Sequence, residues 1–363
     1  MSIVTGNISY KDFSVVDVFC GVGGLTHGFV LEDFKVDAGI DFDESCKFAF
    51  EKNNNTKFVH QDITTLSSRK LRTYFDKSKR KILVGCAPCQ PFSIYNNKKE
   101  KDKNKKGTDK KWQLLYSFAK LIAEVKPDII SMENVPRLVS FNKGKVFKDF
   151  ISTLEKTGYH VSWQIVNAQD YGVPQRRRRL ILLGSKLGEI QLVGKTIVDK
   201  KFKTVKDAIG HLPKVEDGIP HPSDPLHRAR KLSELSKKRI QAMKEGGFWR
   251  EWDKELWLKC HKKKSGKEFR SVYGRMKWKD VSPTITTYCI GLNNGRFGHP
   301  EQDRAITLRE AALLQSFPEK YQFIDPDDTF KSQMIARQIG NAVPVNLGIA
   351  IAKSIKKHIA EVG

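Results

Sequence analysis

The chain has 363 residues, 39% of them hydrophobic, which is enough for two domains with full cores. Its formal net charge of +24 calls for a polyanionic partner, either a phosphate backbone or an anionic lipid surface. No apolar run spans a bilayer, the N-terminus lacks a basic-then-apolar secretory pattern, and no lipidation signal or strongly amphipathic basic helix is present, so the expectation is a cytoplasmic protein with reduced thiols and no membrane partner.

The first strand is Val15 to Phe19. It runs into Cys20-Gly21-Val22-Gly23-Gly24-Leu25 and a predicted helix from Leu25 to Glu32. Glycines at a strand-to-helix turn let backbone approach a ligand, although a tight turn without a ligand reads the same way. The next run, Val36 to Ile40, ends in Asp41-Phe42-Asp43. An acid here, 18 residues beyond Gly23, stands where a Rossmann-type site bonds ribose hydroxyls. Phe42 is placed to cover an adenine ring, and Asp43 to cap the helix Glu44 to Lys52. A third run, Lys57 to His60, leads to Asp62, which reads either as an acceptor for an adenine amino group or as an Asx-turn. The chain lacks the GK[ST] of a P-loop, and two carboxylates would repel phosphates. Together these strand ends describe an adenosyl pocket.

The fourth strand, Lys81 to Gly85, empties into Cys86-Ala87-Pro88-Cys89-Gln90-Pro91. Two prolines fix the backbone around Cys89 and mount one thiol at the C-terminal end of a strand. Half a zinc site or a redox pair is the competing reading of Cys86 and Cys89. No second CxxC supplies the missing ligands, and the upstream glycine turn argues against a thioredoxin fold. Lys98 to Lys111 follows, with eight lysines against three acids. With Gly107 as a hinge, this stretch suits a loop that closes over a polyanion.

Trp112 to Val125 has the apolar spacing of an amphipathic helix. The strand Asp128 to Met132 then ends in Glu133-Asn134. A carboxylate at that rim is costly unless it is bonded or functional; the ordinary alternative is a helix-capping acid. Tyr159 to Asn167 alternates as a strand. Gln175-Arg176-Arg177-Arg178-Arg179 precedes the strand Leu180 to Gly184, and period-two geometry predicts that Arg177 and Arg179 share a face directed at the site. Residues 201–280 carry 22 Lys/Arg against 11 Asp/Glu and four of the six tryptophans. At least half of the aromatics there are expected to form a small core. His261 is expected at the surface rather than on a metal. Val345 to Ile359 reads as an amphipathic helix.

In this order and spacing, DVFCGVGGL (17–25), IDFD (40–43), QDIT (61–64), GCAPCQPFS (85–93), MENV (132–135), QRRRR (175–179), TLREAALLQSFP (307–318) and QIGNAVPV (338–345) resemble the cytosine-C5 DNA methyltransferases of prokaryotic restriction–modification type. The resemblance covers the chain except about residues 195–280. Asp41 departs from the commoner glutamate and Phe42 from the frequent tryptophan, both conservatively.

The resemblance implies an α/β fold: a Rossmann-like S-adenosylmethionine-dependent methyltransferase sheet with helices on both faces, and a smaller, mainly β or irregular target-recognition domain. Residues 1–190 would form the catalytic domain, 191–334 the small domain, and 335–363 a segment returning to the first. Phe19, Gly21, Val22, Gly23, Gly24, Asp41, Phe42, Asp62, Ile63, Leu114, Asn341 and Val343 would hold S-adenosylmethionine, which leaves as S-adenosylhomocysteine, with no metal. Cys89 corresponds to the nucleophile, Glu133 to the acid at cytosine N3, and Arg177 and Arg179 to the arginines of QxRxR, with Arg177 the expected clamp on the base O2. Gln90 and Asn134 flank the two central residues. Ser93, Lys98, Lys99, Lys105, Lys106, Arg176 and Thr284 would meet DNA. C5 and C6 lie inside the duplex stack, so the base must be extruded. The implied partner is double-stranded DNA, with a restriction endonuclease acting separately and the enzyme itself a monomer. A tRNA substrate, or a silent sequence-specific DNA-binding protein, are the alternatives. The basic recognition region argues against the first, and intact Cys89, Glu133 and Arg177 against the second.

Overall fold

The computed structural model describes residues 8–88, 112–263, 266 and 272–363. Cys89, Gln90, Ser93, Lys98, Lys99, Lys105 and Lys106 lie outside the described residues. The chain divides into two compact units, one made of Met1–Asn167, Arg178–Lys195 and Val345–Gly363, the other of Ala168–Arg177 and Thr196–Pro344.

The first unit is built on β1 (Phe13–Val18), α1 (Gly24–Leu31), β2 (Val36–Asp41), α2 (Lys47–Asn54), β3 (Lys57–His60), α3 (Ser68–Arg72), β4 (Arg80–Gly85), α4 (Gln113–Val125), β5 (Ile129–Asn134), α5 (Lys145–Lys156), β6 (His160–Asn167) and β7 (Arg178–Ser185). The strands form one seven-stranded sheet in the order β3-β2-β1-β4-β5-β7-β6. The first five are parallel, and β7 runs antiparallel to both β5 and β6. All residues of β1 and β5 are buried, as expected for strands covered on both faces. Val16, Val18, Ile40, Leu83, Ile130, Met132, Leu180 and Leu182 share one core with α3, α4 and α5. The order reverses direction between β1 and β4, which puts the crevice for a ligand outside the C-terminal ends of these strands.

The C-terminal helix, Val345–Val362, lies against α1. The two backbones approach so closely that a Cβ on Gly28 would collide with the main chain of Gly348. Asp43 caps the turn before α2 as expected, accepting from the Ser45 amide at 3.3 Å.

The second unit carries little regular structure. Its only named strands among the described residues are β8 (Pro220–His221) and β9 (Asp224–Arg228). The remainder is turns and short helices, so it is irregular rather than mainly β. Ile240, Met243, Trp249, Trp252, Leu292 and Ala305 form a core, with Trp257 and Tyr273 packed on it. His261 is 2% exposed and stacks on Trp249 at 4.1 Å, so the expected surface position is wrong. A flat, neutral imidazole fits among indoles, and burial lowers its pKa accordingly.

With so few strand ladders, backbone carbonyls in this unit need other donors. Buried arginines supply them. Arg275 donates to the carbonyls of Ile240, Met243, His299 and Gln302 at 2.6–3.0 Å. Arg304 forms a paired contact with Glu310 at 2.7 and 2.8 Å. The segment Ala168–Arg177 belongs here because its backbone pairs with Ser282, through Arg176 at 2.9 Å and Pro174 at 3.0 Å. The helix Ser332–Asn341 belongs here as well, with Gly340 pressed on the Thr286 backbone. Along the chain the two compact units meet at residues 167/168, 177/178, 195/196 and 344/345.

Candidate active site

The turn after β1 is held by unusual backbone. Phe19, Gly21 and Gly23 have φ of 63°, 51° and 86°, a region that glycine enters without a steric penalty. The chain therefore turns sharply, and Gly24 begins α1 at once. Asp41, at the end of β2, fastens this turn. Its Oδ2 accepts from the Gly21 amide and its Oδ1 from the Asp43 amide, both at 2.9 Å. Burial raises its pKa against the lowering effect of these bonds. Phe42, the next residue, is 71% exposed, an aromatic face presented at the sheet rim. The His60 ring lies 2.9 Å from the Phe42 carbonyl.

Asp62 makes the Asx-turn that competed for it in the sequence, accepting from the Thr64 amide at 2.8 Å and hydroxyl at 2.9 Å. Ile63 is buried in the core, as is Val22 near the glycine turn. Leu114 lies in the first turn of α4 and is half-buried. Asn341 and Val343 belong to the second unit; Asn341 is exposed at a helix end and Val343 is buried.

Behind the turn sits Asp17, which sequence reasoning passed over. It is fully buried within β1 and accepts from the Thr26 hydroxyl at 2.7 Å. Its other oxygen has no hydrogen-bond partner among the described residues. Burial, helped by the nearby Asp41 charge, pushes its pKa up to about 7.

The second half of the site follows from strand register. In the parallel pair β4–β5, Gly85 is opposite Met132, so the next residues, Cys86 and Glu133, lie abreast. In the antiparallel pair β5–β7, Glu133 is opposite Ile181, which makes Arg179 its diagonal neighbour on the same face. The side chains meet accordingly. Arg179 Nε is 2.7 Å from Glu133 Oε1, and Cys86 Sγ donates to Oε2 at 2.7 Å. Glu133 is 3% exposed, so its polar partners are the guanidinium and the thiol rather than bulk water. Asn134 donates to the Ala87 carbonyl at 3.0 Å and accepts from the Val135 amide at 2.9 Å. It thus braces the turn two residues before Cys89.

Arg177 is held by other contacts. β7 begins at Arg178, so strand alternation does not extend back to Arg177. Its guanidinium is buried and donates to the carbonyls of Ile285 at 3.0 Å, Gly340 at 3.1 Å and Ala342 at 3.4 Å, all in the second unit. Arg176 is held by Asp280 at 2.6 and 2.7 Å, and the Thr284 hydroxyl donates to the Arg176 carbonyl at 2.5 Å.

A doubly wound sheet with a glycine turn and carboxyls at successive strand ends defines an α/β enzyme that takes a nucleoside cofactor. Comparison with known proteins narrows the class. A sequence profile for the C-5 cytosine-specific DNA methylases matches residues 13–357. The chain is 52% identical over 346 residues to the type II methylase M.HgiDII of Herpetosiphon aurantiacus, covering 95% of this chain and 96% of that protein. It is 30% identical to the type II methyltransferase M1.HphI of Haemophilus parahaemolyticus, covering 94% and 86%. Among solved structures, a prophage-encoded E. coli protein described as a DNA modification methyltransferase aligns with a TM-score of 0.71 at 22% identity, covering 95% of this chain and 99% of that one. The chain belongs to the C-5 cytosine-specific DNA methylase family and is an S-adenosylmethionine-dependent DNA (cytosine-5-)-methyltransferase.

Proposed function

We propose that this enzyme methylates a cytosine extruded from a specific duplex sequence, through a transient bond between Cys89 Sγ and C6 of the ring. One observation supports the reading above others: the buried Glu133–Arg179 pair stands abreast of the strand end that leads within four residues to Cys89.

Cytosine C5 is too weak a carbon nucleophile to accept a methyl group unaided. Addition of the Cys89 thiolate at C6 pushes electron density onto C5, while a proton from Glu133 neutralises the charge developing at N3. After transfer, a base or water takes the C5 proton, the C6–S electron pair returns to Cys89 as the thiolate, and N3 gives its proton back to Glu133. The base clamp is assigned to Arg179 rather than Arg177. Arg179 reaches Glu133, which must lie beside N3, whereas both terminal nitrogens of Arg177 donate to backbone carbonyls. A planar guanidinium suits both the carboxylate and the base O2.

The glycine turn, Asp41 and Phe42 fit S-adenosylmethionine. A Cβ on Gly21 would meet nothing within 4 Å, Asp41 keeps acceptor capacity for ribose hydroxyls, and Phe42 offers a bare ring for adenine. Asp62, Ile63 and Leu114 would border the adenine, and Phe19, Val22, Gly23 and Gly24 the rest of the molecule; Asn341 and Val343 are assigned to the cofactor as well. When bound, the cofactor supplies a methyl group activated by a sulfonium. The second unit is assigned to target recognition, with Ser93, Lys98, Lys99, Lys105, Lys106, Arg176 and Thr284 on the DNA. The enzyme would act as a cytoplasmic monomer, alongside a separate endonuclease of the same specificity.

Duplex carrying 5-fluorocytosine at the target position tests the mechanism, because fluorine blocks loss of the C5 substituent. With S-adenosylmethionine present, the enzyme should stay bound through boiling in detergent, and Cys89→Ala should neither trap nor methylate while still binding DNA and cofactor. Turnover by Cys89→Ala would overturn the proposal.

A further inference from the structure

The family's chemistry accounts for Cys89, Glu133 and the arginine, but not for the second thiol of the motif. Cys86 follows directly on β4, and its amide donates to the Val18 carbonyl at 3.4 Å, so its backbone continues the β1–β4 ladder past the strand end. The register that aligns Gly85 with Met132 brings Cys86 beside Glu133. The thiol, half-buried, lies 2.7 Å from Oε2, while Arg179 occupies Oε1 at the same distance. The two oxygens of one buried carboxyl are therefore held from different strands, one by a neutral donor and one by a cation.

A carboxyl held by Arg179 alone retains freedom to rotate about its terminal bond, since that torsion is broad. A second donor on the other oxygen fixes the plane. Direction matters here, because Glu133 must meet one ring atom of a base that arrives from outside the duplex. When Glu133 gives up its proton, the carboxylate left behind also gains from the S–H donor in a dry site.

We propose that Cys86 is a positioning residue, which fixes the Glu133 carboxyl through its thiol and thereby sets the rate of methyl transfer. The inference rests on the role given to Glu133 above.

Cys86→Ala removes the donor, and Cys86→Ser keeps a donor on a shorter bond. In methyl-transfer assays Cys86→Ala should lower kcat about tenfold, the loss of one hydrogen bond used in the transition state. KM for duplex and for cofactor should stay within about twofold, since neither is held by this thiol. Cys86→Ser should recover most of the rate. In a double-mutant cycle, Cys86→Ala should cost nothing further once Glu133→Gln is present, because the two act as one unit. An unchanged kcat in Cys86→Ala, a serine variant no better than alanine, or a loss that multiplies with that of Glu133→Gln would each overturn the inference and leave the role of Glu133 standing. Full activity of Glu133→Gln would overturn that role and the inference together.

Discussion

Asp17 shows how one buried group couples folding to pH. Its carboxyl has an ordinary pKa of 3.8 in the open chain and about 7 in the fold, because burial penalises the charge. A raised folded-state pKa means that the native state holds the proton more tightly. The stability this contributes is complete below about pH 4 and is lost as pH rises through about 7. The linkage amounts to about 4 kcal/mol at most. Asp17→Asn keeps an oxygen for the Thr26 hydroxyl and cannot ionise. Urea melts between pH 5 and 8 should show wild-type stability declining with pH more steeply than that of Asp17→Asn; parallel curves would mean that Asp17 does not titrate in this range. Nothing in the sequence marked Asp17, since an acid inside VVDVF looks like the polar face of a strand, and only the burial of all β1 residues at the centre of a parallel sheet reveals that both faces are covered. Asp41 and Glu133 were legible because strand ends can be recognised by where apolar runs stop. Arg177 and Arg179 were not separable, because the first residue of β7 decides which of them obeys strand alternation.

At the scale of elements, the packing of α1 on the C-terminal helix is set by two glycines. Side chains normally keep helix axes 8–10 Å apart, and removing the Cβ at both positions permits backbone contact. Gly28 meets the main chain of Gly348, and a Cβ on Gly348 would in turn lie 3.1 Å from the Leu25 carbonyl. Backbone cannot swing aside as a side chain can, so Gly28→Ala must push the helices apart. A cost of about 1–3 kcal/mol is expected, lowering Tm by roughly 3–10 °C. Because α1 begins at Gly24 of the glycine turn proposed to hold the cofactor, weaker binding of S-adenosylhomocysteine should accompany the lower Tm. A calorimetric scan and a titration of the variant check both; an unchanged Tm would show that the helix pair is free to slide. The glycine turn announced α1 and the amphipathic pattern the C-terminal helix, but a long-range contact between residues 28 and 348 leaves no local trace. The same applies to the second unit. Its aromatic core was legible from composition, whereas His261 was misread because polarity alone does not reveal the indole stacked against it.

On the scale of the whole molecule, the excess of positive charge bears on how the enzyme finds DNA. Residues 98–111 and 201–280 contribute +5 and +11 of the net +24. Side chains that neutralise phosphates release condensed counterions, so affinity should fall linearly in log–log form with added salt, with a slope of about −0.9 for each phosphate contacted. Replacing Lys98, Lys99, Lys105 and Lys106 with glutamine removes four charges from a segment that adjoins Cys89 in the chain. If those lysines sit on the backbone of bound DNA, the slope should become shallower by about 3–4, and by the same amount on duplexes with and without a methylation site. Affinity for S-adenosylhomocysteine should not move, since the cofactor site proposed above, with Asp41, Phe42 and the glycine turn, has no use for these charges. Fluorescence anisotropy across a salt series reads the first quantity and calorimetry the second. A slope that stays put while affinity falls on specific duplex alone would mean that the lysines read bases. An unchanged slope and affinity would place the DNA-binding charge in residues 201–280 instead.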